Sequence, residues 1–142
     1  MKKKNMIVVI DGENIPAREA EKIFSIVNAV GVIDYAKVYG IQKDRSTRAW
    51  TLVSKADKNL KDIRLYGGPA KDKVDKKIIK DLSEEISLHK NIDIVVLVSC
   101  DHGYAPCIKE LRKQGKRVVV IGYKKTAKIL REVCSEYHCL CS

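Results

Sequence analysis

Short apolar runs rich in β-branched residues alternate with segments of helical periodicity along the whole chain, and this alternation leaves few folds open. Residues 6–10 and 92–98 are nearly unbroken apolar runs, the pattern of strands buried on both faces of a parallel sheet. Further strands are expected over residues 33–39, 62–66 and 117–121. Ala20, Ile23, Phe24, Val27 and Val30 fill one face of a helix that begins near Pro16, is capped by Asn14 and stops at Gly31. A short helix is expected over residues 49–56, and a long one after Gly67, Gly68 and Pro69 break the chain. Another runs from Pro106 to Gly115 with Cys107, Ile108 and Leu111 inward, and a last one covers residues 126–135. Alternating strands and helices imply a mostly parallel sheet with helices on both faces, an α/β fold with right-handed crossovers. Without internal repeat or linker, the 142 residues read as a single domain, and at 45% hydrophobic they can bury a substantial core. Strand order is not written in the periodicity.

Open α/β sheets bind ligands at the C-terminal ends of their strands. Asp11 follows the first apolar run and Asp101 the fourth, so both carboxylates belong at that edge. Asp75 is more telling. Its helix carries Val74, Ile78, Ile79, Leu82 and Ile86, and at about 100° per residue Asp75 falls within their arc. A carboxylate on the buried face of a first helical turn needs a cation beside it. Three inward carboxylates at one sheet edge make a divalent-cation site. Such an ion polarises a phosphodiester and lowers the pKa of a bound water. The competing reading makes Asp11 and Asp101 turn or cap residues at strand ends.

Charge points to the partner. Lys and Arg number 28 against 18 Asp and Glu, a net +10 that calls for a polyanion, nucleic acid foremost. Lys43, Arg45 and Arg48, with Trp50 close behind, follow the second strand and so belong at the aspartate edge. Cations beside an aromatic suit a single strand, meeting phosphates and stacking a base. The alternative places Trp50 in the core and leaves the cations as solubilising loop residues. Lys73, Lys76, Lys77 and Lys80 lie opposite the apolar arc of the Asp75 helix and read as a solvated face.

Other classes are disfavoured. No apolar run approaches the roughly 18–20 residues of a membrane span, and Lys2, Lys3 and Lys4 precede too short an apolar stretch for a signal peptide. Five cysteines, an odd number without framework spacing, suit a reduced cytoplasmic protein. Cys134, His138, Cys139 and Cys141 crowd the C-terminus without the paired spacing of a zinc site. No glycine-rich phosphate loop is present, so no nucleotide cofactor is expected.

Together these residues resemble the NYN family, PIN-like nuclease domains that include LabA-type proteins. Asp11-Gly12-Glu13-Asn14 looks like the family's opening D-G-x-N. Val74-Asp75 with Ile78 and Asp81 looks like its V-D-x-x-[IL]-x-x-D helix. Ser99-Cys100-Asp101-His102-Gly103-Tyr104, followed by Gly115-Lys116-Arg117-Val118, looks like S-G-D-x-D-[FY]…G-[KR]-x-V. The resemblance covers essentially the whole chain. It implies a three-layer α/β/α sandwich with a five-stranded sheet in the order 3-2-1-4-5. It also implies a Mg²⁺ or Mn²⁺ cluster at Asp11, Asp75 and Asp101 supported by Asn14 and Ser99, and endoribonuclease activity. Two positions depart from the pattern: Cys100 replaces a glycine, and Gly103 replaces the second acidic residue of S-G-D-x-D.

The sequence therefore reads as a metal-dependent ribonuclease acting on single-stranded or structured RNA, with DNA still open as a partner. Gly103 keeps alive the alternative of a catalytically weak or silent RNA-binding module. A phosphohydrolase using Asp11 as nucleophile is a third reading, weakened because the haloacid dehalogenase type carries aspartate two residues on, where Glu13 stands here. RNA target and oligomeric state are not written in the chain, a homodimer being one option.

Overall fold

Six parallel strands form one sheet in the order β3-β2-β1-β4-β5-β6. The computed structural model describes residues 4–41, 45–56, 62–67 and 71–140, without the side chains of 45–47, 54, 56 and 71–73. The strands are β1 (Asn5–Asp11), β2 (Val32–Ile41), β3 (Ile63–Gly67), β4 (Ile94–Val98), β5 (Arg117–Gly122) and β6 (Glu136–Cys139). Between them run α1 (Ala20–Val30), α2 (Arg45–Ala56), α3 (Lys71–Asp81), α4 (Ala105–Lys113) and α5 (Lys128–Val133). Helix α3 continues into a π-helical turn, Leu82–Ile86. Single 3₁₀ turns precede α1 (Ala17–Glu19) and α4 (His102–Tyr104).

Side chains alternate along a strand, and here the alternation decides where the chemistry goes. Met6, Val8 and Ile10 face the α1–α2 layer with Ile23, Phe24, Val27 and Trp50. Ile7 and Val9 face the α3–α4–α5 layer with Ile78, Leu82, Ile108 and Leu130. Asp11 shares the parity of Ile7 and Val9. All of Met6, Ile7, Val8, Val9 and Ile10 are fully buried, each contributing roughly 1.5–3 kcal/mol of transfer energy. A one-residue slip of β1 would exchange its two faces and turn Asp11 away from α3. The pairs Val9↔Leu97 and Asp11↔Tyr39 record the register that prevents it.

Several expectations need correcting. The sheet has six strands rather than five: Glu136–Cys139 adds a half-buried edge strand beside β5. Its sequence has no apolar run to announce it. The last helix ends at Val133 rather than at residue 135. Helix α2 begins at Arg45, four residues before the expected start, so Arg45 belongs to a helix and not to a loop. Asn14 does not cap a helix; the first turn starts after Pro16 and has no side-chain cap. Asp75 sits one turn inside α3, which begins at Lys71. Cys100, Cys107 and Cys134 are free thiols. Among the described residues no helix is long and apolar enough to cross a membrane.

Candidate functional site

Asp11 ends β1, Asp101 follows β4, and Asp75 on α3 lies near enough for both to act on its charge. Asp11 is wholly buried at the end of β1. Its Oδ2 accepts from Asn14 Nδ2 at 2.8 Å and from Ser99 Oγ at 3.2 Å. Its Oδ1 is buried without a hydrogen-bond partner. An orphaned carboxylate oxygen in the interior is costly unless a cation faces it. Gly12 makes the turn possible: its amide donates to Tyr39 O at 2.8 Å, and a Cβ there would lie 2.3 Å from that oxygen.

Asp101 caps the 3₁₀ turn, its Oδ1 accepting from the Gly103 amide at 3.0 Å. The Asp101 amide donates to Ser99 Oγ at 3.3 Å, so one serine hydroxyl ties the loop to Asp11. His102 Nδ1 lies 3.4 Å from Asp101 Oδ1 on an exposed ring. Asp75 comes from α3, and its Oδ1 accepts from the Tyr104 hydroxyl at 2.8 Å. Burial pushes the Asp75 carboxyl above its ordinary range, and the charges of Asp101 and Asp11 add to this against the Tyr104 hydrogen bond. Tyr104 itself is raised, by burial first and then by Asp11 and Asp75, so its phenol stays a neutral donor.

Hydrogen bonds thus link Asp11, Asn14, Ser99 and the Asp101 amide, and Asp75 stands close enough to feel the charges of Asp101 and Asp11. The structure does not bring Trp50 to the crevice. That indole is 1% exposed and packs in the α1–α2 layer, the core alternative of the sequence reading. Arg48 is exposed on α2, the Arg45 side chain is not described, and Lys43 lies outside the described residues. Tyr104 is the residue the sequence reading missed. Its signal was present, an aromatic three positions after Asp101 at the end of the quoted motif. Among the described residues no three His, Cys, Asp or Glu side chains are gathered to hold an ion by themselves. The donor set fits an ion that takes one or two carboxylates and completes its shell with water and phosphate oxygen, as Mg²⁺ does.

A second acidic cluster lies further along α3. Lys37 of β2, 2% exposed, reaches Glu85 at 2.7 Å and Asp81 at 3.6 Å. Tyr39 donates to Asp81 at 2.6 Å and Tyr35 to Glu85 at 2.9 Å. Tyr39 is thus a bridge: it pairs with Asp11 in the sheet and grips Asp81 on α3.

Comparison with known proteins agrees with this architecture. The family model for the NYN domain matches residues 5–141. A crystal structure of a protein of unknown function from Vibrio parahaemolyticus superposes with a TM-score of 0.76 at 20% identity. That match covers 96% of this chain and 93% of the other, and it speaks for the fold alone. GenD2 from gentamicin A biosynthesis, in complex with NAD, reaches only TM-score 0.42 at 16% identity, over 94% of this chain and 31% of its own, and carries no argument. No curated protein matches in sequence.

Proposed function

Because the chain belongs to the NYN domain family, we propose that it is a metal-dependent endoribonuclease whose chemistry resides at Asp11, Asp75 and Asp101. The family is one of PIN-like nucleases, which are generally divalent-metal dependent and act on nucleic acids. The observation that carries the finer reading is the orphaned, fully buried Oδ1 of Asp11 beside two further carboxylates. Asp11 and Asp101 would hold Mg²⁺ or Mn²⁺, with Asp75 completing the set. When bound, the ion supplies Lewis-acid polarisation of the phosphodiester and a more acidic water. The chain's own residues do the rest. Ser99 and Asn14 occupy Asp11 Oδ2 and leave the buried Oδ1 without a hydrogen-bond partner, the oxygen that would meet the ion. Tyr104 fixes Asp75 Oδ1, leaving the second oxygen to orient or accept a proton from water. Partial burial and the charges of Asp101 and Asp11 raise the Asp75 carboxyl above its ordinary range, the direction that favours taking up a proton.

The test is incubation of the purified protein with labelled single-stranded RNA and DNA in Mg²⁺, Mn²⁺ or EDTA. RNA cleavage that EDTA stops and Asp101→Asn abolishes is expected. Ser99→Ala, which loosens a carboxylate without removing it, should cost about 10–100-fold. An equal rate in EDTA would sink the proposal.

Gly103 favours a second reading, a binding module whose activity has faded. A Cβ on Gly103 meets only the Asp101 carboxyl, Oδ1 at 3.6 Å and Cγ at 4.0 Å, both ordinary contacts, so the position accepts a side chain. Gly103→Asp therefore discriminates the two. Activity in wild type means the three carboxylates suffice, whereas activity appearing only in Gly103→Asp means a degenerate nuclease.

A further inference from the structure

Three loops at the C-terminal edge of the sheet are described in full: those after β1, β4 and β5. The first carries Glu13 and Glu19 against Arg18, and the second carries Asp101 beside His102. The third, residues 123–127, reads Tyr-Lys-Lys-Thr-Ala and holds cations with no acid. Both Lys124 and Lys125 are exposed.

This turn is held far more firmly than a solubilising loop requires. Tyr123 O accepts from the Thr126 amide at 2.9 Å, Thr126 Oγ1 at 2.6 Å and the Tyr137 hydroxyl at 2.7 Å. Its fixing point is Cys100, the neighbour of Asp101. The Tyr123 amide donates to Cys100 Sγ at 3.2 Å, and the Ala127 amide donates to Cys100 O at 3.2 Å. Gly122 allows the close approach, since a Cβ there would lie 2.3 Å from Thr126 Oγ1 and 2.9 Å from Ser99 O. The backbone carrying two lysines is therefore bolted to the loop carrying Asp101, and little backbone entropy is left to lose on binding.

We propose that the 123–127 turn is a phosphate grip, in which Lys124 and Lys125 hold the backbone of a single-stranded RNA as it leaves the aspartates. The inference rests on the nuclease reading above, and it moves the main RNA contact from the α2 side of the crevice to the β5 side. Three carboxylates repel a polyanion, so cations beside them are needed to bring the strand close. Lysine suits this role because it serves as a point charge along a backbone rather than as a reader of bases.

The test compares Lys124→Gln/Lys125→Gln with Lys76→Gln/Lys80→Gln, a pair of equal charge change on the exposed side of α3. Binding of a labelled single-stranded RNA is measured against salt with Mn²⁺ present, alongside cleavage. Losing two phosphate contacts should flatten the log–log salt slope by about 1.4 and weaken binding about tenfold. The α3 pair should change both far less. The Mn²⁺ dependence of cleavage should be unaltered in the turn variant, which separates lost grip from a damaged metal site. A wild-type slope in the turn variant with RNA still bound overturns the grip and leaves the nuclease reading intact. A flattened slope in a protein that cleaves nothing supports the grip and removes the nuclease reading. Wild type that binds no RNA overturns both.

Discussion

Two acidic clusters lie on the same face of this sheet, both reached by the α3 helix, and they solve one electrostatic problem in opposite ways. At Asp81 and Glu85 the chain supplies its own cation, Lys37, together with hydroxyls from Tyr39 and Tyr35. At Asp11, Asp75 and Asp101 it supplies hydroxyls and amides from Ser99, Tyr104, Asn14 and Gly103, and leaves Asp11 Oδ1 unpartnered. The carboxyls respond accordingly. Although burial pushes Glu85 upward, hydrogen bonds from Lys37 and Tyr35 hold it below the ordinary range. Asp75 is raised. The group closed by a lysine is complete in itself, whereas the group left short of positive charge is where we propose that a cation binds.

The largest effect should come from removing the built-in cation. Lys37→Met leaves Asp81 buried with only Tyr39 and the half-exposed Lys77, 3.7 Å away, and should cost about 3 kcal/mol in urea unfolding. The same variant should still bind Mn²⁺ if it is folded. Comparable Mn²⁺ loss in Lys37→Met would mean that the two clusters are not separate in function.

Tyr104→Phe sharpens the other side. It deletes the donor to Asp75 and should cost about 1 kcal/mol. With that hydrogen bond gone, the Asp75 pKa should climb further, an outcome readable by carboxyl NMR titration without metal. An unchanged Asp75 titration would remove Tyr104 from the site.

The smallest effects are in the pH dependence of stability, measured in EDTA. Asp75 is raised in the folded state, so its stabilising contribution is present below the ordinary carboxylate pKa and lost as pH rises through the folded value. At neutral pH Asp75→Asn should therefore be slightly more stable than wild type, by no more than about 1 kcal/mol given partial exposure. Glu85 is lowered, so its contribution is present above the ordinary pKa and lost as pH falls through the folded value. Glu85→Gln should be the less stable protein at neutral pH. On acidification the Asp75→Asn difference should vanish first and the Glu85→Gln difference at lower pH. The reverse order would contradict the assignment of charge to the two clusters.

Much of this was legible before any coordinates. The apolar run over residues 6–10 put Asp11 at the C-terminal end of a buried strand, and the helical wheel put Asp75 among Val74, Ile78 and Leu82, because helical periodicity is fixed by backbone geometry. Lys37 went unread because a strand treated as simply buried hides one inward lysine, whose partners lie about fifty residues away on α3. Tyr104 escaped for a related reason: an aromatic beside a loop reads as packing until its hydroxyl is seen to reach Asp75. Trp50 misled because a large aromatic beside cations suits a stacking platform and a core anchor equally well, and only the packing against α1 shows that it is core. The edge strand Glu136–Cys139 has one buried neighbour and no apolar pattern, so sequence periodicity had nothing to register.

Mn²⁺ titration followed by thermal unfolding, on wild type, Asp11→Asn and Lys37→Met, tests the contrast between the clusters most directly. An ion that binds only the folded form raises the melting temperature with its concentration. The account predicts a concentration-dependent rise in wild type, its loss in a folded Asp11→Asn, and its retention in Lys37→Met despite a lower starting temperature. No Mn²⁺-dependent rise in wild type, or an undiminished rise in Asp11→Asn, would contradict it.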